Sequence, residues 1–313
     1  MADVLTSDPA ARRSDALRGF GFAFSAYFLW GLLPFFMKAV AHIPAVEIVA
    51  HRIVWSVPLA GLVLLALGRT GDVKAAFRSP RTLLMAALTA SVITINWGVY
   101  VWAISVDRTV ETALGYYINP LLSIALAAVF LGEKLTRTQL AAVGLAAVAV
   151  TILTVDAGGL PWVSLVLALA FAIYGFLRKT LPIGPSQGFF LEVLMLAVPA
   201  LFYILWLEST GQGHFRPSEP WDIALLLACG PITAVPLLLY SFGAKLLRYS
   251  TIGIMQYIAP TMIFIIAVFV FAEPFDTVRA LAFVLIWTGL ALYTWSMFRE
   301  SRREKAEAAS ALR

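Results

Sequence analysis

Ten apolar stretches of about 20 residues each follow one another along this chain, separated only by short polar breaks. They cover residues 19–41, 45–68, 82–104, 109–131, 136–155, 160–179, 187–207, 221–244, 249–272 and 277–298. An α-helix of that length crosses the hydrocarbon core of a bilayer. Lipid offers no hydrogen bonds to a bare backbone, so such a chain must form a bundle of spanning helices. Composition agrees. Apolar residues make up 61% of the 313 and charged residues only 13%, whereas a soluble domain carries about 25% charged. Disorder needs the opposite balance. The expected fold is an all-α membrane protein with ten transmembrane helices.

The charges give an orientation. An even number of spans puts both termini on one side. With that side taken as cytoplasmic, inner segments hold 18 of the 23 Lys and Arg. The outer ends hold Arg108, Arg216 and Arg279, while Lys38 and Arg52 lie within spans. The positive-inside rule therefore predicts cytoplasmic termini. The net charge of +5 is spread over loops and tails and predicts no nucleic-acid partner. Arg12, Arg13 and Arg18 precede an apolar stretch too long for a signal peptide, with no small-residue cleavage site after it. Cys229 is alone, so no intrachain disulfide or cysteine metal site is expected. HExxH, P-loop, GxSxG and Cys/His metal spacings are absent from the sequence. It predicts neither an enzyme nor a cofactor.

The chain repeats itself at an offset of 140 residues. Tyr100 meets Tyr240, Arg108 meets Arg248, Tyr117-Ile118 meets Tyr257-Ile258, Pro120 meets Pro260 and Glu133 meets Glu273. Residues 93–154 and 233–294 share ten identities. The shared Pro-to-Glu spacing of 13 is the more telling match. The expected organisation is an N-terminal segment 1–18, a five-helix repeat 19–155, a second repeat 156–298 and a basic tail 299–313. Five spans per half make the halves inverted, a transporter design that rocks about a midplane site.

Ionisable side chains inside spans mark function by default. Here they are Lys38, Glu47, His51, Arg52 and Glu192. Glu47, His51 and Trp55 share one face of the second span at i, i+4 and i+8. Lys38, Glu47 and Arg52 form either a structural ion cluster or a gate. His51, a side chain that changes charge near neutral pH, is either a hydrogen-bonded buried imidazole or a proton site. A repeat offset near 141 sets it opposite Glu192. Polar and aromatic residues also sit at mid-span: Tyr27, Trp30, Asn96, Tyr100, Tyr116, Asn119, Tyr174, Tyr240 and Gln256. They either pack helices together or line an amphipathic central cavity for small solutes. Pro34, Pro120 and Pro260 are expected to kink their helices.

The chain resembles the drug/metabolite transporter superfamily, EamA type, most closely its RarD-like branch. The matching stretches are Trp30-Gly31-x2-Pro34-x3-Lys38, Glu47-x3-His51-Arg52-x2-Trp55-Ser56, Asn96-Trp97 with Trp102-Ala103, and Glu111-x3-Gly115-Tyr116-Tyr117-Ile118-Asn119-Pro120-Leu121. Leu131-Gly132-Glu133-Lys134-Leu135 and Phe283-Val284-Leu285-Ile286-Trp287 complete them. The second repeat departs from the EamA pattern at Ala272-Glu273-Pro274. The resemblance implies two inverted five-helix repeats in a bacterial inner membrane, and export of small metabolites. Exporters of the YddG type move aromatic and other neutral amino acids, and RarD-type names carry an association with chloramphenicol. The expected partners are a small solute and the lipid bilayer, with a monomer sufficient. A drug efflux permease and a lipid-linked metabolite flippase are the alternatives.

Overall fold

Helix starts follow from local chemistry. Thr136 and Gln139 form a reciprocal capping box. The Ser79 hydroxyl accepts the Thr82 N–H at 3.3 Å. Pro80, Pro185 and Pro220 each open a helix, where the missing N–H costs nothing. The computed structural model describes residues 9–131, 135–180, 182–247, 251–252 and 255–311. Its helices are α1 (Pro9–Ala39), α2 (Ala45–Ala66), α3 (Thr70–Phe77), α4 (Pro80–Ser105), α5 (Thr109–Leu131), α6 (Arg137–Asp156), α7 (Trp162–Thr180), α8 (Pro185–Ser209), α9 (Pro220–Leu246), α10 (Ile258–Ile265) and α11 (Thr277–Ala311). A π-helical turn, Ile266–Val270, continues α10.

Among the described residues seven helices are long and apolar enough to cross a membrane: α1, α2, α4, α6, α8, α9 and α11. Shorter apolar segments lie at Trp162–Arg178 and Ile258–Val270. The segment expected to be one continuous span over 249–272 instead holds α10, its π turn and a left-handed residue, Ala272 (φ 54°). Pro260 does not kink a helix interior. It is the third residue of α10, in the first turn, where a missing N–H is harmless. Pro34 and Pro120 do lie inside α1 and α5. The expected connection 69–81 contains α3, whose buried Val73 and Ala76 turn it towards α4 and α8. Glu133 and Arg248 lie outside the described residues.

Apolar bulk faces outwards, as in lipid. Phe269 is 77% exposed, Val129 76% and Phe202 68%. Ala23, Ala86, Ala142, Ala149 and Ala168 are fully buried, since small residues let helices approach closely in a membrane. Gly230 of α9 makes the tightest approach to the backbone of another helix. A Cβ there would lie 2.3 Å from the Trp55 carbonyl oxygen of α2.

The largest helix pairings have a symmetry. Let α7, α8, α9, α10 and α11 stand for α1, α2, α4, α5 and α6, and the reverse. The pairing α1·α9 then becomes α4·α7, α2·α9 becomes α4·α8, and α1·α10 becomes α5·α7. The pairings α2·α8, α5·α10 and α6·α11 return to themselves. All of these contacts are present.

Candidate functional site

A run of rings, with Phe171 38% exposed, links two polar poles. Tyr100 of α4 tilts against Tyr116 of α5 at 5.9 Å, and Tyr116 meets Phe171 of α7 edge-on at 6.0 Å. Phe171 lies 6.2 Å from Tyr174. The Tyr174 hydroxyl donates to Glu192 at 3.1 Å, and Arg178 donates to the other oxygen of that carboxylate at 3.2 Å. A charged pair inside a bundle needs such extra donors to offset its desolvation. Gly188 makes room for it, because a Cβ there would strike the Arg178 guanidinium. A second aromatic group joins α1 to α9: Tyr27, Trp30 and Tyr240 have centroids 5.6–5.9 Å apart.

The other pole is Arg52. Its Nε donates to Thr233 Oγ1 at 3.0 Å, and its guanidinium lies 4.8 Å from the Trp97 ring centre. Tyr100, Tyr116 and Cys229 are its electrostatic neighbours. The Asn96 amide donates to the Leu167 carbonyl at 3.0 Å, and its oxygen accepts from Tyr116 at 3.3 Å. Asn96, Tyr100 and Tyr116 therefore gather around Arg52, and Tyr174 with Glu192 around Arg178.

His51 and Trp55 belong to a different contact. The Trp55 indole N–H donates to His51 Nδ1 at 3.0 Å. Indole only donates, so this Nδ1 is the bare nitrogen of a neutral ring. Both rings stack on Phe215, at 5.4 and 5.9 Å. Phe215 sits in the loop between α8 and α9, and two carboxylates tie that loop down. Glu47 accepts the His214 backbone N–H at 2.8 Å and pairs with its ring Nδ1 at 2.8 Å; Glu208 accepts the Phe215 N–H at 3.0 Å. His42 adds a contact to Asp222 at 3.0 Å.

The expected cluster of Lys38, Glu47 and Arg52 is not assembled. Lys38 pairs with Asp107, Glu47 with His214, and Arg52 with Thr233. Lys38 lies in the last turn of α1 and reaches Asp107 in the α4–α5 connection, so closeness in sequence to Glu47 does not decide its partner. Asn119 also stays apart, accepting at 3.5 Å from Ser123 on its own helix. Gln256 lies half-buried just ahead of α10. Away from the ring run, Tyr117, Thr261, Trp287 and Phe298 line a cleft of about 650 Å³ against α11.

Arg178, His214, Phe215 and Thr233 are the contributors that sequence reasoning passed over. Arg178 reads as one more inner-loop cation, and His214 and Phe215 as loop residues. A buried Glu192 without an assigned partner was the usable signal for Arg178. Among the described residues no group of three or more His, Cys, Asp or Glu could hold a metal ion.

A family model described as the EamA-like transporter family matches residues 17–155 and again 159–295. The chain is 44% identical over 295 residues to protein RarD of Streptomyces exfoliatus, covering 94% of this chain and 92% of that one. It is 34% identical over 281 residues to protein RarD of Escherichia coli, covering 90% and 95%. It is 31% identical over 284 residues to a Pseudomonas aeruginosa protein named chloramphenicol-sensitive protein RarD, covering 90% and 94%. A crystal structure aligns over 92% of this chain and 98% of that one, with TM-score 0.57 and 20% identity, a likeness of fold alone.

Proposed function

The chain belongs to the EamA-like transporter family, in its RarD-like branch, and from that premise we propose that it exports small amphipathic metabolites by alternating access. It is a multi-pass membrane transporter. The solutes we assign are amino acids, including aromatic and other neutral ones. One observation carries this reading: the run Tyr100–Tyr116–Phe171–Tyr174, which links the Arg52 pole to the Arg178–Glu192 pole across helices of both halves. Rings suit an apolar side chain, and the charged poles suit the two ends of a zwitterion.

Ten spans in two inverted repeats, 19–155 and 156–298, complete the proposal. The exchange symmetry of the helix pairings supports it, and so does the double match to one family model. The basic residues support a bacterial inner-membrane location with the N-terminal segment 1–18 and the tail 299–313 in the cytoplasm. A reporter active only outside the membrane, fused after Arg313, is expected to stay silent. A monomer suffices, and no covalent chemistry takes place. Chloramphenicol-type drugs are the alternative solutes, favoured by the name of the Pseudomonas aeruginosa relative. A lipid flippase would want basic residues at a lateral opening, but Arg52 is buried and Lys38 pairs with Asp107.

The deciding experiment is flux in proteoliposomes against a panel of labelled amino acids and chloramphenicol, with and without a pH gradient. Uptake of aromatic and neutral amino acids is expected. Transport of chloramphenicol alone would move the assignment to drugs, and no flux of any compound would remove it.

A further inference from the structure

Arg52 is 4% exposed, on a helix that crosses the membrane. A buried cation costs several kcal/mol of desolvation unless a counter-charge offsets it. Among the described residues Arg52 has no ion pair. Thr233 takes its Nε, and Trp97 lies against its guanidinium. Its Nη1 is buried without a partner. The Tyr100 hydroxyl, on a side chain 2% exposed, is also buried without a partner.

The surrounding polar groups are already committed. Asn96 spends its amide on Leu167 and its oxygen on Tyr116, and Thr233 spends its own hydrogen on the Cys229 carbonyl at 2.8 Å. What remains is an N–H on a permanent cation beside the Trp97 ring, and a phenol O–H, with no anion paired to the cation among the described residues. An unpaired N–H on a permanent cation favours a negatively charged acceptor, and the Tyr100 hydroxyl is a second free donor for it.

We propose that Arg52 Nη1 and the Tyr100 hydroxyl hold the carboxylate of the solute, so that the transported class is small organic acids and zwitterions carrying a free carboxylate. This rests on the transporter reading and narrows its substrate. The rings of Trp97, Tyr100 and Tyr116 then meet the apolar part of the solute. Amine-only and neutral compounds of the same size leave the cation uncompensated and bind poorly.

The test uses the full chain purified in detergent, with thermal unfolding as the readout. The probes are benzoate, L-phenylalanine, phenethylamine (which lacks the carboxylate) and chloride. Benzoate and L-phenylalanine are expected to raise Tm in a saturable way, and phenethylamine and chloride to leave it unchanged. Tyr100→Phe removes an unpartnered hydroxyl, so the variant should fold normally. Its apparent Kd for benzoate should rise about tenfold, the equivalent of about 1.4 kcal/mol. Arg52→Gln should abolish the shift. Four results would overturn the proposal: no shift with either carboxylate, an equal shift with phenethylamine, an equal shift with chloride, or unchanged benzoate affinity in Tyr100→Phe. Failure here is separable from failure of the transporter reading. Flux of a neutral or cationic solute in proteoliposomes would keep that reading while this one falls.

Discussion

Glu273 closes the start of α5 from the opposite half of the chain: its carboxylate accepts the backbone N–H of Thr109 at 2.7 Å, and that of Val110 at 2.8 Å. These are two of the N–H groups that a helix leaves unpaired at its first turn, and the dipole there favours negative charge. Glu273 is 6% exposed, so water cannot replace it. We expect Glu273→Ala to destabilise the protein by about 2–4 kcal/mol, through two orphaned buried donors. Glu111→Gln, which breaks a partly exposed pair with Arg108, should cost less than about 1 kcal/mol. Thermal unfolding of both variants decides, and equal Tm losses would refute the capping role.

Close approach of α2 and α9 depends on Gly230. Gly230→Ala should cost about 1–3 kcal/mol by forcing the Trp55 backbone away. Gly98→Ala meets no atom within 4 Å and serves as the control. Removing one helical glycine there should leave stability unchanged or raise it by up to about 1 kcal/mol. Identical melting curves for the two variants would contradict the geometry.

Ala272 holds a left-handed backbone (φ 54°), which costs an L-residue about 1–2 kcal/mol. The residue 140 positions earlier is Gly132. Ala272→Gly should therefore stabilise the protein by up to about 1 kcal/mol, after allowing for the added freedom of the unfolded chain. A fall in Tm would show that the strain is absent.

Glu47 holds the loop that carries His214 and Phe215. Glu47→Ala should speed amide hydrogen exchange over 212–216 by tenfold or more, while exchange within α6 stays unchanged. Protection equal to wild type would place the anchoring elsewhere, at Glu208 alone.

His51 and Trp55 give a prediction about transport. His51→Ala removes the acceptor of the indole N–H and a stacking partner of Phe215, yet leaves the helix as apolar as before. Transport should fall while membrane insertion stays normal. Adding a proton to His51 Nδ1 must break the bond from Trp55. If His51 couples transport to protons, an imposed pH gradient drives concentrative uptake, and His51→Ala leaves only equilibrative exchange. Wild-type rates in His51→Ala would remove His51 from the site.

The apolar runs were legible because a bilayer sets one length and one composition for every span. The 140-residue offset paired Glu133 with Glu273, but only geometry explains why a carboxylate belongs there. Asn96, Tyr100 and Tyr116 could be grouped by depth. Their gathering around Arg52 could not be read, because partners across a bundle follow from helix rotation rather than from sequence distance. The same reason misplaces Lys38, whose nearest acid in sequence is not its nearest in space. Phe215 was invisible because loops carry no periodic signal, and its stacking on His51 depends on how Glu47 and Glu208 fold the 210–219 segment.

The pairing of α1 with α9 and α10, and of α6 with α11, sets an order on biosynthesis. Helix α1 contacts α9 and α10, which leave the ribosome only after all of α2 to α8. Until then the buried faces of α1, including Ala23 and Tyr27, must stay in lipid or against the insertion machinery. A chain stalled after residue 155 would leave α1, α2, α4 and α6 without the helices they pack against, a natural target for membrane quality-control proteases.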